Sequence, residues 1–158
     1  FVGAELAGQY GPLYLQSEYG RTDVSRFRSN VTVQALPAIT AAGGSDVAFD
    51  GGYVAASYVL TGENREYKDG AFARIKPKNP FSLSKGGWGA WEVAGRYSTL
   101  DLNDGTVVGG KENNYSVGLN WYPNNYLRLL VDYVRFDAKK GATEDAGDAV
   151  VTRIGVIW

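Results

Sequence analysis

Residues 113–136, NNYSVGLNWYPNNYLRLLVDYVRF, alternate with a period of two on either side of a tight Pro-Asn-Asn turn. One parity reads Tyr115, Val117, Leu119, Trp121 and then Leu127, Leu129, Val131, Tyr133; the other reads Asn114, Ser116, Gly118, Asn120 and then Arg128, Leu130, Asp132, Val134. A period of two belongs to extended backbone, where successive side chains leave on opposite faces. The pattern therefore predicts paired antiparallel strands with one apolar, aromatic-ended face and one polar, charged face. WEVAGRYST repeats it, with Trp91, Val93, Gly95 and Tyr97 against Glu92, Ala94, Arg96 and Ser98. In LYLQSEY, Leu13, Leu15 and Tyr19 stand against Tyr14, Gln16 and Glu18.

Seven such segments are expected, over 1–9, 13–20, 49–60, 88–102, 113–122, 126–136 and 148–158. Short connections at 10–12 and 123–125 alternate with long ones at 21–48, 103–112 and 137–147, while the 61–87 connection breaks the rule by being long on the short side. Strands of about ten residues with turns short at one end and long at the other suit an outer-membrane β-barrel. The competing reading is a soluble all-β sandwich or ligand-binding barrel, in which the apolar parity would form the core. Trp and Tyr near strand ends favour the membrane, because their rings are apolar while the N–H or O–H seeks water. The interface aromatics expected on this basis are Trp91, Trp121, Tyr133 and Trp158.

Composition narrows the chemistry. No stretch approaches the ~18 apolar residues of a membrane-spanning helix. The absence of Cys and His removes thiol nucleophiles, imidazole bases and the usual metal ligands, and no catalytic constellation or cofactor motif appears, so neither an enzyme nor a metal site is expected. Sixteen basic against seventeen acidic residues give no bulk charge for nucleic acid. The opening FVGAELAGQ lacks the features of a signal peptide and reads like mid-strand, so the chain is expected to be part of a longer one.

The strings KPKNPF, GGWGAWEVAGRYSTLDLND, NNYSVGLNWYPNNYLRLLVDYVRF and the final RIGVIW resemble the carboxy-terminal part of the phosphate-selective porins O and P family of Gram-negative outer membranes. The resemblance covers most of residues 49–158 and is thinner before them, where the QYGP turn and LYLQSEY carry it. It implies a sixteen-stranded, usually trimeric transmembrane barrel with a constricted anion pore, of which residues 1–158 would supply about seven strands of a single barrel domain. Trp158 would then close the last strand at the periplasmic rim, with one parity of IGVIW facing lipid.

Two sets of cations follow as candidates. Within 61–87, Arg65, Lys68, Arg74, Lys76, Lys78 and Lys85 make a basic segment which, on the resemblance, folds into the lumen and binds anions. Pro77 and Pro80 would stiffen it, and Phe72, Ile75 and Phe81 would pin it to the wall. On the polar parity of the strands, Arg96, Arg128 and Arg153 would form part of an arginine ladder, or else pair with the acids Glu5, Glu18, Glu92 and Asp132 of the same parity. Arg21, Arg26 and Arg28 lie in or beside an external loop and read as a wet surface rather than an entry funnel. The expected function is passive, anion-selective diffusion of phosphate or a related anion across the outer membrane, with lipid and further subunits as partners.

Overall fold

The computed structural model of the chain describes residues 1–25 and 45–156. Its strands are β1 (Val2–Tyr10), β2 (Leu13–Val24), β3 (Val47–Val59), the short β4 (Tyr67–Lys68) and β5 (Ala71–Phe72), β6 (Ala90–Asp104), β7 (Val107–Tyr122), β8 (Leu127–Lys140) and β9 (Thr143–Val156). Seven of them form one antiparallel sheet in the order β1-β2-β3-β6-β7-β8-β9, and β4 and β5 pair with each other. Every neighbour in the large sheet is also a neighbour among its strands in sequence, the up-and-down order of barrel walls. The sheet is open among the described residues, with β1 and β9 at its edges.

The register places the expected faces as the alternation requires. Trp91 pairs with Trp121, Val93 with Leu119 and Tyr97 with Tyr115. Leu127 pairs with Val156, Leu129 with Ile154 and Tyr133 with Val150. Leu119, Trp121, Leu127, Leu129, Val131, Tyr133, Ile154 and Val156 therefore share one face, and Arg128 and Arg153 share the other. Because the strand period is two, a slip of one residue would have inverted the whole set.

The apolar face carries two aromatic levels. Tyr10, Tyr58, Trp91 and Trp121 mark one, and Tyr19, Tyr97, Tyr115 and Tyr133 the other. Six residues separate Trp91 from Tyr97, or about 20 Å at ~3.3 Å per residue, comparable with the ~25 Å apolar band of an outer-membrane barrel. Two of the phenols at the second level have polar partners: Tyr97 Oη donates to Asn113 Oδ1 at 3.1 Å and Tyr133 Oη to Asp148 Oδ1 at 2.5 Å.

Beyond that level the same parity turns charged, with Arg135, Asp137 and Lys139 on β8 and Lys111 on β7. Ion pairs link Lys111 to Asp101 at 3.4 Å and Arg135 to Asp148 at 3.5 Å across neighbouring strands. The expected long loops at 103–112 and 137–147 are thus corrected. They are ladder, and β6 to β9 run 15, 16, 14 and 14 residues, against the ~9–11 needed to cross a bilayer. Each hairpin turns on two residues, with Gly105 (φ 55°) and Gly141 (φ 61°) at the first position, where a primed turn requires the positive φ that glycine adopts without strain. The sequence hid these extensions because water lies on both of their faces, so no apolar parity marks them. Trp158, Arg26 and Arg28 lie outside the described residues.

Candidate functional site

Residues 61–78 are held on the polar face at the short-turn end. Ile75, 1% exposed, closes over Val59, Ala90 and Tyr122, all of the polar parity. The Tyr67–Phe72 hairpin brings the Phe72 ring edge-on to Tyr14 at 5.0 Å. Gln9 clasps the backbone of Arg65 twice, its Nε2 donating to the carbonyl oxygen and its Oε1 accepting from the N–H, each at 3.1 Å. Phe72 and Ile75 therefore pin the segment, as expected. Phe81 does not join them: it packs on Trp121 of the apolar face at 5.3 Å, because the chain rounds the sheet end after Pro77.

At the same end of the polar face lies a buried network around Glu92, which is 1% exposed. Arg65 Nη2 donates to Glu92 Oε1 at 2.5 Å, while Tyr122 Oη and Asn120 Nδ2 donate to Oε2 at 2.7 and 3.1 Å. Asn120 Oδ1 in turn accepts from Arg128 Nη2 at 3.0 Å. A carboxylate this deep is tolerable only when its lone pairs are met and its charge is opposed. The Arg65 guanidinium, 5.2 Å from the centre of the Tyr14 ring, supplies the charge.

Beside this network lies a cavity of about 370 Å³, lined by Arg65, Arg96, Arg128, Glu92, Asp132 and Ser116 among others. The Nε atoms of Arg65 and Arg128 are buried without a hydrogen-bond partner among the described residues. Arg96 rests over the Tyr53 ring at 3.9 Å, with no acid in ion-pair reach among the described residues. Asp132 leans across Gly118, where an added methyl would collide with its Oδ1. It is thereby turned toward β7 rather than Arg153 on β9. The strand acids and arginines thus do not simply pair off: Glu92 takes a cation from the basic segment, a partnership across 27 residues that strand parity does not reveal.

The remaining expected cations scatter. Lys76 pairs with Glu66 at 3.3 Å on the surface, and Lys78 Nζ donates to the Gly62 carbonyl at 2.9 Å. Lys68 and Arg74 are exposed. Lys85 sits in a turn closed by the Ser82–Gly87 bridge, next to Phe81 and so toward the apolar face. Arg153 is exposed on the edge strand β9. Arg21 pairs with Asp23 at 3.4 Å on the surface.

What decides between soluble core and membrane wall is where packing occurs. The buried cluster and the network both lie on the polar face, whereas Val131, Ile154 and Val156 on the apolar face are 51%, 70% and 60% exposed. A contiguous apolar face of this size, rimmed by aromatics, is a lipid surface and not a water surface. Residues 1–157 match the family described as phosphate-selective porin O and P.

The chain belongs to that family. Among its relatives, an uncharacterized protein of Caulobacter vibrioides is 43% identical over 100 residues, covering 63% of this chain and 20% of its own. Porin O of Pseudomonas aeruginosa is 33% identical over 127 residues, covering 72% of this chain and 28% of its own. The chain thus spans between a fifth and under a third of the curated relatives it matches. Family and architecture together make it outer-membrane β-barrel wall of Gram-negative type, with its apolar face to lipid.

Proposed function

We propose that the complete porin conducts small anions passively, phosphate or a polyphosphate foremost, and that residues 61–78 of the basic segment narrow the lumen on the polar side of this wall. In this reading β1 and β9 pair with further strands of a sixteen-stranded barrel, since unpaired edges are not tolerated in lipid, and the barrel assembles as a trimer. The observation that carries the reading is the cavity shared by Arg65, Arg96 and Arg128. Glu92 offsets Arg65, so the cavity offers an anion Arg96, Arg128 and the unbonded Nε donors, against Asp132. Guanidinium groups suit phosphate because they donate parallel hydrogen bonds to two of its oxygens. In a narrow, partly dehydrated lumen their field is focused, so anions are concentrated and cations excluded.

Around the cavity, Lys68, Arg74, Lys76 and Lys78 extend the positive potential along the segment, and Arg153 continues it on the wall. Arg74, Lys76 and Lys78 are the segment residues assigned to the permeating ion. Reversal potentials of the complete porin in planar bilayers under a salt gradient test this directly. The Arg74→Gln, Lys76→Gln, Lys78→Gln triple variant is expected to move them toward cation permeability with the barrel still heat-modifiable on gels. Unchanged selectivity would leave the segment a periplasmic loop and the arginine wall as the pore's cation source.

A further inference from the structure

The loop from Asn79 to Gly89 leaves the polar side and docks on the other face of the sheet. Phe81 N donates to the Pro123 carbonyl at 2.7 Å, and Trp121 Nε1 donates to the Trp88 carbonyl at 2.8 Å. The Phe81 ring meets Trp121 edge-on, and Trp121 in turn stacks on Trp91 at 5.4 Å with an interplanar angle of 17°. The turn itself is built rather than slack. Ser82 pairs with Gly87, and Ser82 Oγ accepts from Lys85 N at 3.3 Å while meeting Ser84 Oγ at the same distance. From this frame Leu83 projects 93% exposed and Trp88 74% exposed. NPFSLSKGGWG contains one cation, Lys85, and no acid.

We propose that this loop is a membrane foot: Leu83 and Trp88 enter the phospholipid headgroup layer at the short-turn rim, and Lys85 engages the phosphate of an anionic phospholipid there. The physical grounds are continuity and charge. The loop extends the row of Trp91 and Trp121, which already lies at the edge of the apolar band, where indole is favoured. A lysine on a flexible stem lets the apolar neighbours go deeper while its ammonium stays at headgroup level, where anionic lipid attracts it. An isolated, acid-free cation beside two exposed apolar side chains matches an anionic, amphipathic layer. The assignment rests on the membrane-wall reading and not on what the pore selects, and it gives Lys85 a lipid in place of the permeating ion.

A nitroxide at Leu83→Cys in the complete porin, on a cysteine-free background, reads this out in vesicles of phosphatidylethanolamine and phosphatidylglycerol. Labels at Ile154→Cys and Ala142→Cys give the lipid and water references. The Leu83 label is expected to favour oxygen over a nickel chelate, between the two references, and Lys85→Glu is expected to shift it toward the Ala142 value. That shift should shrink in vesicles without phosphatidylglycerol. Quenching of tryptophan emission by bromolipids is expected to fall on Trp88→Phe, an independent readout of the same depth. A label matching Ala142 would overturn the proposal in favour of a water-facing loop, and one shielded from both reagents would overturn it in favour of a contact between subunits. Pore selectivity is not read in either assay, so the foot and the anion pathway fail separately.

Discussion

Arg65, in a connection between strands, reaches the buried Glu92 of β6 at 2.5 Å and ties the basic segment to the polar face of the wall near its short-turn end. This makes Arg65 a strut as much as a source of field, because the charge it brings is met by Glu92. Removing either partner strands the other. For a pair with one member a fifth exposed, the cost belongs at the lower end of the range for buried pairs, about 3 kcal/mol. Arg65→Ala and Glu92→Gln are each expected to lower the thermal unfolding midpoint, and the double variant to recover part of the loss. Additive losses in that cycle would show that the two side chains are not coupled.

Ile75 offers a separate handle on the same segment. Truncating a fully buried aliphatic to Ala costs about 2–5 kcal/mol, and here the loss falls on the contact between segment and wall rather than on the strand ladder. Limited proteolysis of Ile75→Ala is expected to nick within 61–87 far faster than wild type while the heat-modified barrel persists. Equal nicking rates would mean that the Val59, Ala90 and Tyr122 cluster does not hold the segment.

The two-level apolar band predicts a positional rule for charge. Val131→Arg, between the aromatic levels, is expected to cost about 2–4 kcal/mol in denaturant unfolding from lipid vesicles. Lys139→Ala on the same parity of the same strand, beyond Tyr133, is expected to fall within about 0.5 kcal/mol of wild type. Similar losses at both positions would place the membrane boundary elsewhere.

These expectations also mark how far the chain can be read directly. The two faces were legible because alternate residues of a strand carry opposite chemistry, and Trp91, Trp121 and Tyr133 stand on the apolar face at its two aromatic levels. The strand extensions past Tyr97, Tyr115 and Tyr133 were not, since a ladder wet on both faces leaves only turn-forming composition, which resembles a loop. Glu92 was visible as one acid too many on the polar parity, but its partner was not. Nothing local joins it to Arg65, and only the packing of Phe72 and Ile75 on that face brings the two together. The position of Phe81 was hidden for the same reason: a proline-rich path around the sheet end leaves no periodicity to say which side follows.

Phosphate block of chloride current through the complete porin tests the central claim most directly, because it probes the cavity itself. With each charge-assisted contact worth about 1–3 kcal/mol, replacing Arg96 and Arg128 by Gln is expected to raise the phosphate concentration for half-block by at least about tenfold. The buried Arg65–Glu92 pair, and with it the fold, should stay intact. A phosphate block unchanged in that double variant, with the barrel folded, would contradict an anion pathway along this arginine wall.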